Sequence, residues 1–339
     1  MRIAVDAMGG DVGPEIVVEA AVAAAKSNTS DLHVVLVGDE RRVGDVLQRS
    51  RSLPPNIEIV HASEAISMSE APASAIRKKK DSSIAVMLRL MKEGEVDGMV
   101  SAGNTGAVVA GSLVTLGRVR GVTRPAIALF YPTAQGWVVI IDVGANSECT
   151  AKNLVQFGIM GSVFAECHLE TKDPRVGLLN IGEERSKGTG CVKEAYEQLE
   201  NSQLNFVGNV EGRDVFLDVA DVVVCDGFVG NILLKFGESI VSFTGNVLRQ
   251  EIRKSIFARI GAALMRGVFS SFRSRLDYAE YGGAPLLGVN GVVIIAHGGS
   301  SVRAIKNAIA MARRFVKYDV KKHIEKRFET TAERVAKVS

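Results

Sequence analysis

The 339-residue sequence predicts an α/β fold, a doubly wound and mostly parallel sheet with helices on both of its faces. Apolar runs of strand length alternate with segments of helix length along most of the chain. The run His33-Val-Val-Leu-Val37 is almost continuously apolar, as strands buried on both faces of a parallel sheet are. Hydrophobic residues make up 47% of the chain and charged residues 23%, which is typical of a globular protein with a large core.

Strand and helix alternate through the first half of the chain. A short strand from Ile3 leads into a glycine-rich turn, and Pro14 suits the first turn of a helix over residues 15–26. We then expect strands at 33–37, 57–60 and 98–100 and helices at 41–49 and 83–93. Strands at 126–131 and 137–141 are close enough in sequence to form an antiparallel hairpin.

The second half repeats this alternation around a helical excursion at residues 230–276. We expect helices at 153–167, 189–200 and 301–318 and strands at 175–180, 204–207, 222–225 and 291–296. Residues 1–318 are therefore expected to form a single α/β body that includes the projecting 230–276 excursion. Residues 319–339 are expected to form a polar C-terminal tail, a solvated or frayed helix.

Charge and cysteine content argue against several classes of protein. The net charge of +3 provides no general field for nucleic acid. The four cysteines lie far apart without the spacing of a zinc site, so we expect reduced thiols and a cytoplasmic protein. The chain enters a strand directly after Met1, and no apolar run approaches the roughly 20 residues that span a bilayer, so secretion and membrane spanning are not expected.

Six predicted strands end in loops rich in Gly, Asn, Ser and Asp. In a doubly wound sheet the carboxyl ends of the strands lie along one edge, so we expect the six loops to line one cleft. Amides of glycine-rich turns and helix starts bind anions, and phosphate is the natural ligand. The loops are Asp6-Ala-Met-Gly-Gly10, Ser101-Ala-Gly-Asn-Thr-Gly106, Asp142-Val-Gly-Ala-Asn146, Asn180-Ile-Gly-Glu-Glu-Arg-Ser-Lys-Gly188, Asp226-Gly-Phe-Val-Gly-Asn231 and Ala296-His-Gly-Gly-Ser-Ser301.

These loops match neither the common nucleotide-binding motifs nor those of covalent catalysis. The chain has no G-x-x-x-x-G-K-[ST], no G-x-G-x-x-G with a suitably placed acidic residue, and no G-x-S-x-G. His297 has no evident Ser or Cys partner. What remains is a cleft of amide donors, asparagines, Lys187 and one histidine, which suits the binding of phosphate and the polarisation of a carbonyl. The nucleophile is then the substrate itself.

Several long motifs occur in a fixed order along the chain. They are Val5-Asp-Ala-Met-Gly-Gly-Asp-Val-Gly-Pro14, Ser101-Ala-Gly-Asn-Thr-Gly-Ala107, Asp142-Val-Gly-Ala-Asn146, Gly208-Asn-Val-Glu-Gly-Arg-Asp214, Asp226-Gly-Phe-Val-Gly-Asn231 and Gly288-Val-Asn-Gly291, followed by the loop at 296–301. On these motifs the chain, from Ile3 to about Val316, resembles the bacterial phosphate acyltransferases of phospholipid synthesis, of the PlsX type.

That resemblance implies an enzyme that transfers a long-chain acyl group from acyl carrier protein to inorganic phosphate, giving acyl phosphate by direct phosphate attack on the thioester. It implies a homodimer, no metal and no organic cofactor, and a fold similar to phosphate acetyltransferases and to isocitrate and isopropylmalate dehydrogenases. The product would pass to a downstream membrane glycerol-3-phosphate acyltransferase. We therefore expect a cytoplasmic protein that associates peripherally with the inner face of the cell membrane.

The resemblance places the catalytic roles on Lys187 and Asn231. Lys187 would neutralise charge on phosphate or on the oxyanion, and Asn231 would donate a hydrogen bond. The substrate-binding residues are expected to be Asp6, Gly9, Gly10, Asn104, Gly106, Asn146, His297 and Ser300. Amides around the glycines would hold phosphate. The carboxylate of Asp6 would repel it, so Asp6 is expected to orient loop amides, and Asp142 to order the loop at Gly144.

The excursion predicts a basic amphipathic helix. Apolar residues recur at four-residue spacing from Ile252 to Phe272, basic residues are in excess, and Gly261 and Gly267 favour a helix–turn–helix tip between them. A membrane surface, the acidic carrier protein and a dimer interface all remain as partners of this segment.

Other functions stay open at this point. A short-chain phosphate acyltransferase is close in chemistry, and a membrane-surface scaffold without catalysis would use the same basic residues. A dehydrogenase of the related fold would need a metal-binding aspartate cluster that Asp218, Asp221 and Asp226 alone do not establish.

Overall fold

An eleven-stranded sheet forms the centre of the computed structural model, which describes residues 1–11, 13–27, 31–49, 53–169, 171–276 and 282–338. Its order is β3-β2-β1-β4-β11-β10-β5-β6-β9-β7-β8. Only the pairs β11–β10, β10–β5 and β5–β6 are antiparallel among these neighbours, which confirms a mostly parallel sheet. The strands are β1 (Arg2–Asp6), β2 (His33–Gly38), β3 (Ile57–His61), β4 (Gly98–Ser101), β5 (Ala126–Pro132), β6 (Trp137–Ile141), β7 (Arg175–Leu179), β8 (Asn205–Val210), β9 (Val222–Val224), β10 (Ala284–Leu287) and β11 (Val292–Ile295).

The predicted hairpin is confirmed, and it reverses the direction of the sheet. Strands β5 and β6 pair antiparallel, with Ala128 opposite Ile141 and Pro132 opposite Trp137. Strands β9 and β7 then continue parallel to β6, whereas β1, β4 and β11 run the other way. These two groups of strands therefore run in opposite directions within one sheet.

Helices on the first face of the sheet enclose the larger core cluster. The helices on this face are α1 (Pro14–Ser27), α2 (Glu40–Gln48), α6 (Ala151–Leu169), α7 (Gly190–Glu200), α11 (Val302–Tyr318) and α12 (Val320–Val338). Phe157 and Phe164 of α6 and Phe315 of α11 are among the aromatic members of the cluster, and Ile3 and Val5 of β1 point into it. Alanines of α1 allow that helix to pack closely against α11.

Helices on the second face cover a separate cluster, into which Ala4 of β1 points. Here α3 (Pro72–Lys78) and α4 (Ser83–Lys92) pack against α5 (Thr105–Thr115), and α8 (Gly227–Arg253) crosses β6. A Cβ atom at Gly106 would lie 2.5 Å from Pro72 Cγ, so the contact between α3 and α5 requires glycine there. Helices on both faces confirm the doubly wound arrangement.

The excursion is three helices rather than one continuous amphipathic helix. After α8 come α9 (Ile256–Leu264) and α10 (Arg266–Leu276). The break at Met265 falls inside the predicted tip at 261–267, but the break before α9 was not predicted. Ser255 causes it, because its side chain accepts a hydrogen bond from Ala258 N and caps the new helix. The four-residue spacing therefore does not lie along one helix face.

The C-terminal segment is helical, as predicted, but it is packed rather than solvated. It forms α12, and Val320, Ile324 and Phe328 on its inner face are buried against α6. Arg327 also pairs with Glu166 of α6 at 2.7 Å. The four-residue spacing of these apolar residues is the signal for this packing, and the polar residues around them obscured it. Helices α3 and α5 and strand β10 were also absent from the sequence prediction.

Candidate active site

The described contacts group the six strand-end loops into two clusters. Loops 6–10, 101–106 and 296–301, here the N-terminal cluster, follow β1, β4 and β11. Loops 142–146, 180–188 and 226–231, here the central cluster, follow β6, β7 and β9, which run in the opposite direction. The twist of an eleven-stranded sheet can turn the ends of such strands toward each other, so the single cleft stays a prediction.

Asp6 organises the N-terminal cluster. Its Oδ1 accepts from Met8 N at 3.1 Å and its Oδ2 accepts from Ser101 Oγ at 2.7 Å. Burial raises the pKa of Asp6, while these hydrogen bonds oppose that shift. Asp6 therefore orients its own loop and ties it to the β4 loop, which confirms the expectation drawn from its charge.

The two glycines after Asp6 bring three loops into contact. A Cβ atom at Gly9 would overlap Asp6 Oδ2, and one at Gly10 would lie 2.8 Å from the carbonyl oxygen of Gly298. Gly10 also has φ +94°, a conformation that suits glycine. The backbone N–H of Asp11 donates to that Gly298 oxygen at 2.9 Å. Both glycines are required by these close approaches, whatever ligand their amides meet.

Other predicted members of this cluster form hydrogen bonds with neighbouring loops of the protein. The Nδ2 of Asn104 donates to three carbonyl oxygens in the segment 67–70, and its Oδ1 accepts from Ala107 N at the start of α5. Ser300 is buried, and its N–H donates to the carbonyl oxygen of His297. The exposed His297 accepts from Gly299 N through Nδ1 at 3.1 Å. Asn104 thus holds loops together and has no amide hydrogen left for a substrate.

Asp142 organises the central cluster in the same way. It is fully buried and accepts from four backbone N–H groups, those of residue 127 and residues 144–146, and from Nδ2 of Asn146. Burial raises the pKa of Asp142 against these donors. The other hydrogen of the Asn146 amide goes to the carbonyl oxygen of Pro125 at 2.8 Å. Asn146, like Asn104, is therefore committed to loop structure, and Asp142 orders the Gly144 loop as expected.

The start of α8 docks on this loop and positions Asn231. Gly227 N donates to the Asn146 carbonyl oxygen at 2.8 Å, and a Cβ atom at Gly230 would overlap the carbonyl oxygen of Asp142. A Cβ atom at Gly144 would lie 3.8 Å from Cβ of Asn231, so bare backbone faces that side chain. Asn231 is half-buried, and none of the hydrogen bonds within the described part of the chain involves its amide. Its donors are therefore available.

Lys187 lies on the loop after β7. Its backbone is held by Glu184 and by Nδ2 of Asn180, which donates to the Lys187 carbonyl oxygen at 3.2 Å. Its side chain is 47% exposed, with Nζ 3.9 Å from Glu184 Oε1, so the ammonium is loosely held. The Cys191 thiol just beyond this loop donates to the Cys149 carbonyl oxygen at 3.2 Å, which ties the loop to the segment after Asn146.

The electrostatics of the central cluster favour an anion and disfavour a cysteine nucleophile. Helices α7 and α8 both begin here, capped by Thr189 and Asp226, and helix N-termini attract negative charge. Burial raises the pKa of Cys149 to about 12, with Asp142 and Asp226 adding to the shift. That thiol stays protonated at neutral pH, so it is a poor nucleophile.

Solved structures with the same architecture include two phosphotransacetylases. One from Streptococcus pyogenes superposes with a TM-score of 0.61 at 21% identity, covering 94% of each chain. EutD phosphotransacetylase from Staphylococcus aureus gives 0.58 at 18% identity, covering 93% of this chain and 94% of the other. At these identities the likeness establishes a shared fold.

Sequence relatives are much closer. A family model described as "Fatty acid synthesis protein" matches residues 1–323. The phosphate acyltransferase of Thermoanaerobacter pseudethanolicus is 48% identical over 99% of this chain and 100% of its own length. That of Heliobacterium modesticaldum is 50% identical over 97% of this chain and 99% of its own length. This chain therefore belongs to the family of fatty acid synthesis proteins whose curated members are named phosphate acyltransferases.

Proposed function

We propose that the protein transfers a long-chain acyl group from acyl carrier protein to inorganic phosphate, and that the central cluster performs the transfer. Family membership supports acyl transfer to phosphate, and the proposal adds the carrier protein as donor and the residues that act. The observation that carries it is the contrast among the asparagines of the two clusters. Asn104 and Asn146 are committed to loop carbonyls, whereas Asn231 has free donors beside a bare glycine backbone.

The chemistry needs no nucleophile from the protein. A phosphate oxygen attacks the thioester carbonyl carbon and forms the new C–O bond, while the carbonyl electron pair moves onto oxygen. Asn231 donates to this oxyanion, and Lys187 neutralises phosphate or the oxyanion. Collapse re-forms the carbonyl and breaks the C–S bond, and the carrier thiolate leaves with its electron pair and takes a proton from water. The starts of α7 and α8 hold phosphate in place for attack.

The test is to incubate the purified full-length protein with a long-chain acyl carrier protein, with and without phosphate, and to trap acyl phosphate with hydroxylamine. We expect hydroxamate only when phosphate is present. Acetyl-coenzyme A in a parallel reaction distinguishes a short-chain enzyme, which would use it at least as well. Absence of phosphate-dependent hydroxamate with either donor would refute the proposed activity.

We also propose that a second copy covers the exposed apolar stripe of α8, as the family resemblance implies. Phe228, Ile232, Phe236 and Phe243 are all exposed on this helix, with Phe236 at 64%. A contiguous apolar stripe of this kind is typical of protein interfaces. Sedimentation equilibrium should give a dimer for the protein and a monomer for Phe236→Glu. A dimer that survives this substitution with unchanged affinity would contradict this interface.

For the tip formed by α9 and α10 we propose the membrane surface as partner. None of the described helices is long and apolar enough to cross a membrane. The tip instead exposes Phe257, Ile260 and Leu264 next to basic residues, a combination that binds anionic lipid surfaces. Attachment there would deliver the water-labile product to a membrane glycerol-3-phosphate acyltransferase. Loss of vesicle binding on Leu264→Glu substitution tests this attachment.

A further inference from the structure

A cavity of about 310 Å³ opens on the first face of the sheet, where α6 ends beside α11 and the β5–β6 hairpin. None of its lining residues belongs to the N-terminal or the central cluster. Its volume is at the small end of the range of ligand pockets, roughly 300–1,000 Å³. The proposed function makes no use of this cavity.

The walls of the cavity are largely apolar. Phe130 and Met311 are buried, and Trp137 and Leu169 are partly buried beside them. Phe130 also packs on Phe164, with ring centroids 4.4 Å apart, so the wall is backed by the core. A ligand that fits these walls has an alkyl or aryl body.

Polar groups occupy one side of the cavity. Arg314 is exposed and forms no ion pair with any described residue. His168 lines the same side; both of its ring nitrogens are buried without a hydrogen bond of normal geometry, although the Phe164 carbonyl one turn earlier lies near. Burial and the positive charge of Arg314 lower the pKa of His168 to about 4, so the ring is neutral at pH 7. The lining therefore provides one positive charge, that of Arg314, together with the polar side chains of His168 and Asn307.

We propose that this cavity binds an amphipathic monoanion, a medium-chain carboxylic acid, with its alkyl chain on the aromatic wall and its carboxylate on Arg314. A single cation matches a single negative charge, and a guanidinium pairs with a carboxylate in two parallel hydrogen bonds. The site goes beyond the proposed function and does not depend on it.

Trp137 makes the test direct, because it lines the cavity and is the only tryptophan of the chain. The intact protein is titrated with decanoate below its micelle concentration while the tryptophan emission is recorded. We expect a saturable change in emission. Decanol has the same chain without the charge, and we expect it to bind about tenfold more weakly. Equal affinity for the two, or no saturable change with decanoate, would overturn the proposal.

Two variants locate the site. Arg314→Gln removes an exposed charge and should weaken decanoate binding about tenfold while leaving decanol unchanged. Lys317→Gln, one turn further along the same helix and outside the cavity, is the matched control and should leave both affinities unchanged. Ala310→Phe should fill the cavity and abolish both signals. Decanoate binding that is insensitive to Arg314→Gln would show that the ligand lies elsewhere.

Discussion

In the central cluster the Lys187 ammonium is held only loosely by Glu184 and the Asn231 amide forms no hydrogen bond with any described residue, so their substitution tests the mechanism without disturbing the fold. Removing one donor to an oxyanion costs on the order of a hundredfold in turnover. We expect Lys187→Ala and Asn231→Ala each to lower kcat by about that factor, with the thermal unfolding temperature unchanged. Steady-state assays of thiol release, with calorimetry beside them, measure both quantities.

Asn146→Ala is the contrasting variant, because its amide bridges Asp142 and Pro125 inside the protein. It should lower the unfolding temperature along with activity, since buried partners lose their hydrogen bonds. Near-normal turnover in Asn231→Ala would contradict the role assigned to that residue.

His168 gives the stability of the protein a defined pH dependence. Its pKa is lowered to about 4 by burial and by Arg314, whereas an unfolded histidine has a pKa of about 6.5. Between pH 4 and pH 6.5, His168 therefore binds a proton more readily in the unfolded protein than in the folded protein. The stabilising contribution is therefore full above pH 6.5 and is lost as the pH falls towards 4. His168→Leu should remove this loss.

Relative to the parent protein, the free energy of unfolding of His168→Leu should then rise by about 2–3 kcal/mol between pH 7 and pH 4.5, as measured by urea unfolding. Phe164→Leu is the control, because it alters the same ring cluster without a titrating group. Its effect should be equal at the two pH values. A His168→Leu effect that is independent of pH would contradict the assigned pKa.

The asparagines show what could be predicted at the level of single residues. Asn104, Asn146 and Asn231 all follow predicted strands, and only the family resemblance set Asn231 apart as a catalytic residue. The structural roles of Asn104 and Asn146 emerge only from their hydrogen-bond partners, which lie far away in the chain, at 67–70 and at Pro125. Local sequence indicated where the polar loops are but carried no information about these distant carbonyls.

At the scale of elements, the placement of α8 depends on a close contact at Gly230. A Cβ atom there would overlap the carbonyl oxygen of Asp142. Gly230→Ala should cost roughly 2–3 kcal/mol of unfolding free energy and lower activity, because Asn231 would move with the helix. Gly245→Ala, on the same helix with no atom within 4 Å, should instead stabilise the protein by up to about 1 kcal/mol. Denaturant unfolding of both variants checks this contrast.

The tip of the excursion, formed by α9 and α10, is predicted to bind anionic membranes. Leu264 is 84% exposed on α9. Leu264→Glu should reduce binding to phosphatidylglycerol vesicles roughly tenfold or more in a sedimentation assay, because an apolar contact is lost and a repelling charge is introduced. Val114→Glu on α5 places the same charge at an 83% exposed apolar residue of the body and should have little effect. Equal vesicle binding by the two variants would remove the membrane role of the tip.

At the scale of the whole molecule, the sequence predicted the class of fold and most strands and helices, but not the relation between the two clusters. The hairpin of β5 and β6 was visible as two apolar runs around a short polar turn. The effect of the hairpin on the direction of the other strands depends on which strands pair with β5 and β6. Strand β10 pairs with β5 on one side and β9 pairs with β6 on the other, and such non-local pairing leaves no mark in local sequence.

The N-terminal cluster is a separate set of loops from the one that holds the proposed catalytic residues. Its loops are ordered by Asp6 and by close contacts among glycine backbones, and the N–H groups of Met8 and Asp11 donate within the cluster. Substitutions in the two clusters show which of them holds phosphate. The KM for phosphate should rise only when a residue of the cluster that binds phosphate is changed. We expect Lys187→Gln to raise it and His297→Gln to leave it unchanged.

Direct attack of phosphate on the thioester is the central claim, and isotope exchange tests it without a variant. The protein is incubated with long-chain acyl carrier protein and free radiolabelled carrier protein, first without phosphate and then with it. Since no protein nucleophile accepts the acyl group, we predict that no label enters the acylated carrier without phosphate, and that acyl phosphate forms once phosphate is added. Phosphate-independent exchange of label above that of a control without the protein, as an acylated enzyme would give, would contradict the account.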